Sequence, residues 1–138
     1  MSADNTVSDV CSIITDGTHQ PPKFKNKGIP FLFVSNIANN KLTYDTEKFI
    51  DQGTYNELIK RTPIEIGDVL LSTVGSYGHP AVVENEEKFL FQRHIAYLKP
   101  NHKRVDSYYL YASLLTDSLY HISREFWNTY SFHQSTKP

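Results

Sequence analysis

The sequence predicts an α+β fold, in which a mixed or antiparallel twisted sheet packs against a short helix and one longer C-terminal amphipathic helix. Two short continuous apolar runs, an alternating pair of segments and one stretch of apolar residues at helical spacing support this prediction. Long loops rich in Gly and Pro connect the elements. The chain of 138 residues suits one domain. We expect its core over residues 7–126, and a tail, residues 127–138, that depends on a partner or on further sequence for its order.

The first predicted elements are a strand and a short helix. Residues 29–34 form a short apolar run of β-compatible residues bounded by turn-forming segments, which favours a buried strand. Thr54 and Glu57 have the spacing of a capping box, in which hydroxyl and carboxylate satisfy backbone donors reciprocally at the start of a helix. The predicted helix continues through about Lys60. Pro63 ends this helix.

The second half of the chain is predicted to contain three strands and the longer helix. A buried strand covers residues 69–74, and residues 75–80 form a loop, because two glycines and a proline cannot continue a central strand. Residues 81–84 and 88–98 form an antiparallel pair joined by an acidic turn. Residues 107–126 place apolar side chains at helical spacing and form one amphipathic helix docked on the sheet.

Composition limits the compartment and the class of protein. The formal net charge is −1, and the apolar and charged fractions are ordinary for a globular domain. The single cysteine, Cys11, cannot form an internal disulfide, which favours a reducing compartment, and its simplest role is that of a small buried hydrophobe. No apolar run approaches the length that crosses a bilayer, and the N-terminus is polar and acidic. We therefore expect a cytoplasmic protein with no membrane partner.

Basic residues are concentrated in two stretches. Residues 18–33 and 88–105 contain lysines and arginines but no Asp or Glu, whereas acids collect near residues 84–87 and 45–51. If both basic stretches lie on one face, they form a positive patch; scattered solvated charges are the alternative. The side chains suited to phosphate contacts are Lys23, Lys25, Lys27, Lys99, Lys103 and Arg104.

Catalysis has weak support in the sequence. Asp68 with the later segment Glu86-Glu87-Lys88 has the loose outline of a Mg²⁺-dependent nuclease, but a solvated acidic turn explains the same residues. The histidines do not pair with one another or with Cys11 at the spacing of zinc ligands. There is no Gly-x-Ser-x-Gly turn, dinucleotide fingerprint or P-loop. We therefore expect a binding protein with no catalytic residues, metal or cofactor.

Three loops carry side chains suited to the bases of DNA. In the major groove Arg or Lys binds guanine, Asn or Gln binds adenine, and Ser or Thr binds either. The candidate base contacts are Thr18, His19, Gln20, Ser76, Tyr77, His79, Gln92, Arg93 and His94. Each has a structural alternative: His94 could lie in the core, Arg93 could pair with Glu84 across the hairpin, and residues 20–22 could brace their loop. Loops flanked by Gly and Pro favour the functional interpretation.

Three segments carry a resemblance to a known family. They are residues 16–37, with the motifs DGTHQPP, GIPFL and SNI, residues 67–75, GDVLLSTVG, and residues 91–96, FQRHIA. Together they resemble the target recognition domain of type I restriction-modification specificity subunits, the HsdS family, and the resemblance spans about residues 10–122.

The resemblance implies a noncatalytic protein that recognises one half of a split target in double-stranded DNA. In that family two such domains are separated by long helices, which bind methyltransferase (modification) subunits and, through them, the restriction subunit. S-adenosylmethionine and ATP are used elsewhere in the complex. This chain has one recognition domain, so it is either the N-terminal half of a longer subunit or a short natural variant that self-associates or pairs with a second recognition domain. Motif residues such as Gly67 and Asp68 are then scaffold rather than contacts.

A protein-interaction module is the alternative from a different class. Its contact surface would consist of aromatic residues toward the C-terminus, because exposed aromatic side chains are enriched at protein interfaces. These residues are Tyr108, Tyr109, Tyr111, Phe126, Trp127 and Tyr130.

Overall fold

A computed structural model describes residues 7–72 and 78–115 of the chain. Within these residues four consecutive strands lie between the second and third α-helices, and the predicted α+β class is confirmed. In chain order the elements are α1 (Val7–Val10), β1 (Cys11–Asp16), β2 (Ile29–Leu32), a 3₁₀ helix (Val34–Asn36), β3 (Phe49–Ile50), α2 (Gln52–Leu58), β4 (Val69–Ser72), β5 (Pro80–Val82), β6 (Leu90–Phe91), β7 (Ile95–Pro100) and α3 (Ser107–Leu115).

The larger sheet has four antiparallel strands in the order β1-β7-β4-β5. Its central strands are buried on both faces, which explains why β4 reads as a continuous apolar run. On one face Leu71 and Leu98 pack against Leu110 and Leu114 of α3. On the other face Tyr97 and its neighbours pack against a cluster of aromatic rings.

The smaller sheet has three strands in the order β3-β2-β6, and β2 is parallel to β6. Phe31, Ile50 and Leu90 form its core, against which Tyr55 and Leu58 of α2 pack. The strand predicted over residues 29–34 ends at Leu32. A 3₁₀ helix follows because the buried Asn36 accepts a hydrogen bond from the backbone of Phe33 at 2.9 Å and thereby turns the chain.

The predicted hairpin between residues 81–84 and 88–98 was wrong. The strand β5 pairs with β4, β6 pairs with β2, and β7 lies between β1 and β4. Pro80 has no backbone donor, so β5 occupies an edge of the sheet, where that donor is not needed. Local alternation in the sequence suggested that neighbours in the chain pair, whereas long-range burial of Phe89 and Phe91 decides the pairing.

The helix α2 is confirmed, but its predicted cap was wrong. Asp51 is the N-cap, and its Oδ1 accepts a hydrogen bond from the backbone N–H of Thr54 at 2.8 Å. This hydrogen bond is the main cause that lowers the pKa of Asp51. The helix begins at Gln52, before Thr54, because a carboxylate at Asp51 caps it earlier in the chain.

The C-terminal helix is confirmed over Ser107–Leu115, and residues 116–126 of the predicted helix lie outside the described residues. Leu110 and Leu114 face the core, as the helical spacing predicts. In the described part of the chain no helix has the length and apolar character that crossing a membrane requires.

Candidate nucleic-acid interface

One end of the larger sheet carries two of the loops with candidate base contacts and the described ends, Ser72 and His79, of the third. Strand β1 ends at Asp16, which pairs with Ala96 near the start of β7. Strand β4 ends at Ser72, which pairs with Ile95. The connections that follow β1, precede β7 and join β4 to β5 therefore leave the sheet at the same end, which we call the loop end. The opposite end holds Asp68, Lys99 and the turn at residues 101–106, and we call it the anchor end.

Two of these loops contact each other directly. The backbone N–H of Thr18 donates to the carbonyl oxygen of Phe91 at 2.9 Å, and Thr18 forms a parallel bridge with Gln92. Gly17 permits this approach, because a Cβ at its position would overlap the carbonyl oxygens of Phe91 and Gln92. The glycine of the DGTHQPP motif thus joins the loop after β1 to the turn before β7.

A buried carboxylate organises the surface beside this junction. The side chain of Asp16 is 4% exposed and forms an ion pair with Arg61 through Oδ1. Its Oδ2 lies 2.7 Å from Nε2 of His19. Arg61 also donates from Nε to the backbone carbonyl of Asp16 at 3.3 Å. The partners remain accessible, with 48% of the His19 side chain and 43% of the Arg61 side chain exposed. Asp16 therefore holds two donors in fixed positions at the surface.

The turn before β7 presents three of the candidate side chains. Arg93 is exposed, and Gln92 and His94 are half-buried. His94 Nδ1 lies 3.0 Å from Oε1 of Gln92, so its ring donates to the amide and both side chains are oriented by this contact. His94 lies in a turn rather than on the apolar strand. The hairpin that would have paired Arg93 with Glu84 is absent, because β5 pairs with β4.

The remaining candidate base contacts divide between described and undescribed positions. Gln20 is exposed in the loop after β1. His79 is exposed at the loop end, where its backbone N–H donates to Oγ of Ser72 at 2.8 Å. Ser76 and Tyr77 lie outside the described residues. The described residues thus bring Thr18, His19, Gln92 and their neighbours together, with His79 at the same end of the sheet.

The basic residues do not form one continuous patch. Lys23, Lys25 and Lys27 are exposed beside the smaller sheet, where the backbone of Lys25 donates to Phe49 at 2.8 Å. Lys103 and Arg104 are exposed in the turn after β7 and therefore lie at the anchor end. Of the two alternatives left open by the sequence, scattered solvated charges describe these residues, and we leave Lys103 and Arg104 out of the proposed surface. A six-residue strand, about 20 Å long, separates the two ends of the sheet.

Lys99 has a structural partner at the anchor end. Its side chain is 17% exposed, and its Nζ lies 3.0 Å from both Asp68 and Glu65. Asp68, at 2% exposure, also accepts from the hydroxyl of Tyr97 at 2.5 Å and from the backbone of Glu65 at 2.9 Å. Two carboxylates neutralise the ammonium group, so Lys99 is poorly placed to contact a phosphate. We leave it out of the proposed surface.

Burial raises the pKa of two further groups near Asp68, the phenol of Tyr97 and the thiol of Cys11. It strongly raises the pKa of Tyr97, and the hydrogen bond to Asp68 adds to the effect, so the phenol stays a neutral donor. Burial also raises the pKa of the Cys11 thiol to about 12, with a smaller contribution from the charge of Asp68. The thiol is therefore unreactive near neutral pH, as its expected role as a small hydrophobe requires.

The residues that resemble the outline of a nuclease line two neighbouring clefts. Asp68 and Lys99 line one, Glu86, Glu87 and Lys88 line the other, and Glu65 borders both. Among residues 7–72 and 78–115, no group of three or more His, Cys, Asp and Glu side chains is arranged to hold a metal ion.

Sequence reasoning missed Asp16 and Arg61 as members of this surface. Asp16 belongs to the DGTHQPP motif, and a carboxylate at the end of a strand before a glycine was a usable signal. Arg61 comes from the turn after α2, far from any motif, and only the fold places it beside Asp16. No family model matches this chain, and no curated protein sequence matches it either.

Proposed function

We propose that this protein is a noncatalytic reader of double-stranded DNA that recognises one half-site of a bipartite target. It would act as the specificity component, or part of one, in a type I restriction-modification system in the cytoplasm. The observation that carries the proposal is the convergence of the candidate base-contacting loops at one end of the sheet, with Thr18 bridged to Gln92. The assignment to a restriction-modification system is supported by the three sequence motifs that resemble specificity subunits.

The loop end has the physical properties that base recognition requires. Its exposed and half-exposed side chains include amide, imidazole and guanidinium groups, which form directional hydrogen bonds with base edges. Backbone bonds from Gly17 to Ile95 and from Thr18 to Phe91 hold the loops in place. Because rigid groups lose less conformational entropy on binding, this arrangement favours selective contacts over loose adhesion.

Phosphate contacts would come from the lysines of the loop after β1. Lys23, Lys25 and Lys27 are exposed and have no acidic neighbours in the adjacent sequence. With few such contacts in one domain, we expect weak binding that falls steeply with salt. Full affinity would then require a second recognition domain or self-association, because two linked half-sites add avidity. Methyltransferase subunits, and through them the restriction subunit, are the proposed protein partners.

Selection from a pool of randomised duplexes at low salt tests the proposal. We expect enrichment of one short motif by the full chain, and absence of any enriched motif would overturn the proposal. Gln20→Ala and Arg93→Ala should change which sequence is enriched, whereas Lys25→Ala should weaken binding to all sequences alike. Equal effects of all three variants on every sequence would contradict the assigned roles.

An aromatic surface at the anchor end favours protein interaction as the second candidate. Tyr108 and Tyr109 on α3 are exposed, and so is Ile66. The side chain of Ser107 donates to the backbone carbonyl of Gly67 at 2.5 Å, which brings Ile66 close to the start of α3. Tyr111 is half-buried and donates to the backbone of Asn40, whereas Phe126, Trp127 and Tyr130 lie outside the described residues. Capture of a protein partner from nuclease-treated lysate that is lost in Tyr109→Ala and retained in Gln20→Ala would favour this candidate.

A further inference from the structure

We infer that Arg61 reads a guanine in the recognised half-site and that Asp16 acts as its positioning residue. The inference rests on the proposed function and names one contact within it. Arg61 belongs to neither basic stretch of the sequence and was not among the candidate contacts. Its place at the surface follows from the fold, because the turn after α2 packs against the end of β1.

The bonds to Asp16 use one edge of the guanidinium group, and 43% of the Arg61 side chain is exposed. Arg61 uses Nε for the backbone carbonyl of Asp16 and one N–H of Nη2 for the carboxylate. The remaining donors are the second N–H of Nη2 and both N–H groups of Nη1, for which the described residues show no partner. These donors form a planar pair with the spacing of O6 and N7 of guanine, the usual partners of arginine in the major groove.

The charge balance favours a base over a phosphate as the ligand. Asp16 is buried and its carboxylate neutralises the guanidinium, so the pair carries little net charge. A neutralised arginine contributes little to the electrostatic attraction of phosphates, but it keeps its directional donors. The lysines beside the smaller sheet have the opposite character: they are exposed on flexible stems, and the acid that interacts with Lys23 and Lys25 is the exposed Asp51.

His19 completes the positioning of the carboxylate. Its Nε2 lies 2.7 Å from Oδ2 of Asp16, so the carboxylate is fixed from two directions and Oδ1 remains for Arg61. The bridge between Thr18 and Gln92 places the same loop beside the turn that carries Arg93. Arg61 therefore lies at the surface that the candidate base contacts occupy.

The test combines a conservative protein variant with a change in the DNA. The wild-type chain is first used to select its motif from randomised duplexes, and the selected duplex is then made with 7-deazaguanine at each guanine in turn, which removes the N7 acceptor. For one guanine we expect wild-type affinity to fall by roughly 10-fold or more. Arg61→Lys keeps the charge but not the planar fork, so it should lose affinity for the normal duplex and show no further loss with 7-deazaguanine at that position. Arg104→Lys is the matched control: the fold places Arg104 at the anchor end, outside the proposed surface, so this variant should behave as wild type.

The outcomes separate this inference from the proposed function. Enrichment of no motif by the wild type would overturn both. A motif without guanine, or one in which Arg61→Lys retains the full response to 7-deazaguanine, would overturn the role of Arg61 and leave DNA reading intact. The DNA substitution leaves the protein unchanged, so its result stands even if an Arg61 variant folds poorly.

Discussion

Two buried aspartates lie at opposite ends of the larger sheet, and they differ in the exposure of their partners. Asp68 binds the buried hydroxyl of Tyr97, a backbone N–H and the mostly buried Lys99. Asp16 binds His19 and Arg61, each of which has nearly half of its side chain in solvent. Both carboxylates are equally inaccessible themselves. The exposure of the groups that a carboxylate holds therefore separates a structural site from a candidate recognition site.

The physical reason for this difference is the cost of leaving a group without its partner. Removing Asp68 would leave a mostly buried ammonium group and a buried hydroxyl that water cannot easily reach. Removing the Asp16 charge would release two side chains that can turn toward solvent. The anchor end should therefore control stability, and under the proposed function the loop end should control which DNA is bound.

Replacing Asp68 should produce the largest effect. Asp68→Ala removes the shared acceptor of Tyr97, Lys99 and the Glu65 backbone, and we expect unfolding free energy to fall by about 3–5 kcal/mol. Urea unfolding followed by circular dichroism measures this change. Glu65→Ala, which removes a largely exposed partner of Lys99, is the control and should cost less than about 1 kcal/mol. Equal losses in the two variants would break the comparison.

Gly17→Ala should come next and should affect both stability and selection. The added Cβ overlaps two backbone carbonyls that cannot rotate away, so we expect a loss of about 1–3 kcal/mol and a displaced loop. Gly53→Ala is the matched control, since a Cβ there meets only Asp51 at 3.6 Å within α2 and should stabilise the helix by up to about 1 kcal/mol. Thermal unfolding and duplex selection of both variants would show whether stability and DNA selection require the close approach of the two loops.

Asp16→Asn should destabilise the protein less than either of these changes but should alter its specificity. The amide keeps one acceptor and loses the charge, so we expect a loss of about 1–2 kcal/mol, which solvent access of His19 and Arg61 keeps small. The preference for the guanine assigned to Arg61 should weaken while binding to nonspecific duplex persists. An unchanged preference, measured by titration with the selected duplex and its single-base variants, would contradict the positioning role of Asp16.

The strands with the clearest local signals could be predicted from the sequence. The apolar runs that became β2 and β4 and the spacing of Leu110 and Leu114 in α3 are strong local patterns. The partners of the strands could not be predicted, because burial of Phe89 and Phe91 against distant residues overrides the alternation around the acidic turn. The predicted cap of α2 was wrong because the carboxylate of Asp51 accepts a hydrogen bond from the Thr54 backbone N–H. The helix therefore begins at Gln52, and Thr54 lies inside it.

The loops of the candidate site could be predicted from the sequence, but the ion pair between Asp16 and Arg61 beside them could not. Glycine and proline mark where the chain turns, so the loops around Thr18 and Gln92 were identifiable, and the topology brings them to one end. Arg61 joins them through a tertiary contact with Asp16 that spacing along the chain does not reveal. Lys99 shows the reverse error, because its sequence neighbourhood lacks acids but its spatial neighbours are Asp68 and Glu65.

The smallest effect on stability is expected at Asp51, the N-cap of α2. The C-terminal end of this helix lies just before Arg61. The folded protein lowers the pKa of Asp51, so its charge stabilises the fold above the ordinary value of 3.8 and this contribution is lost as pH falls through the lowered pKa. Asp51→Asn retains a capping acceptor without the charge, and it should be slightly less stable than wild type at pH 7. This difference should vanish as pH falls well below 3.8 in thermal unfolding measured across the acidic range. If Asp16 rather than α2 holds Arg61, the same variant should leave the guanine preference unchanged, and a changed preference would transfer the positioning role to the helix.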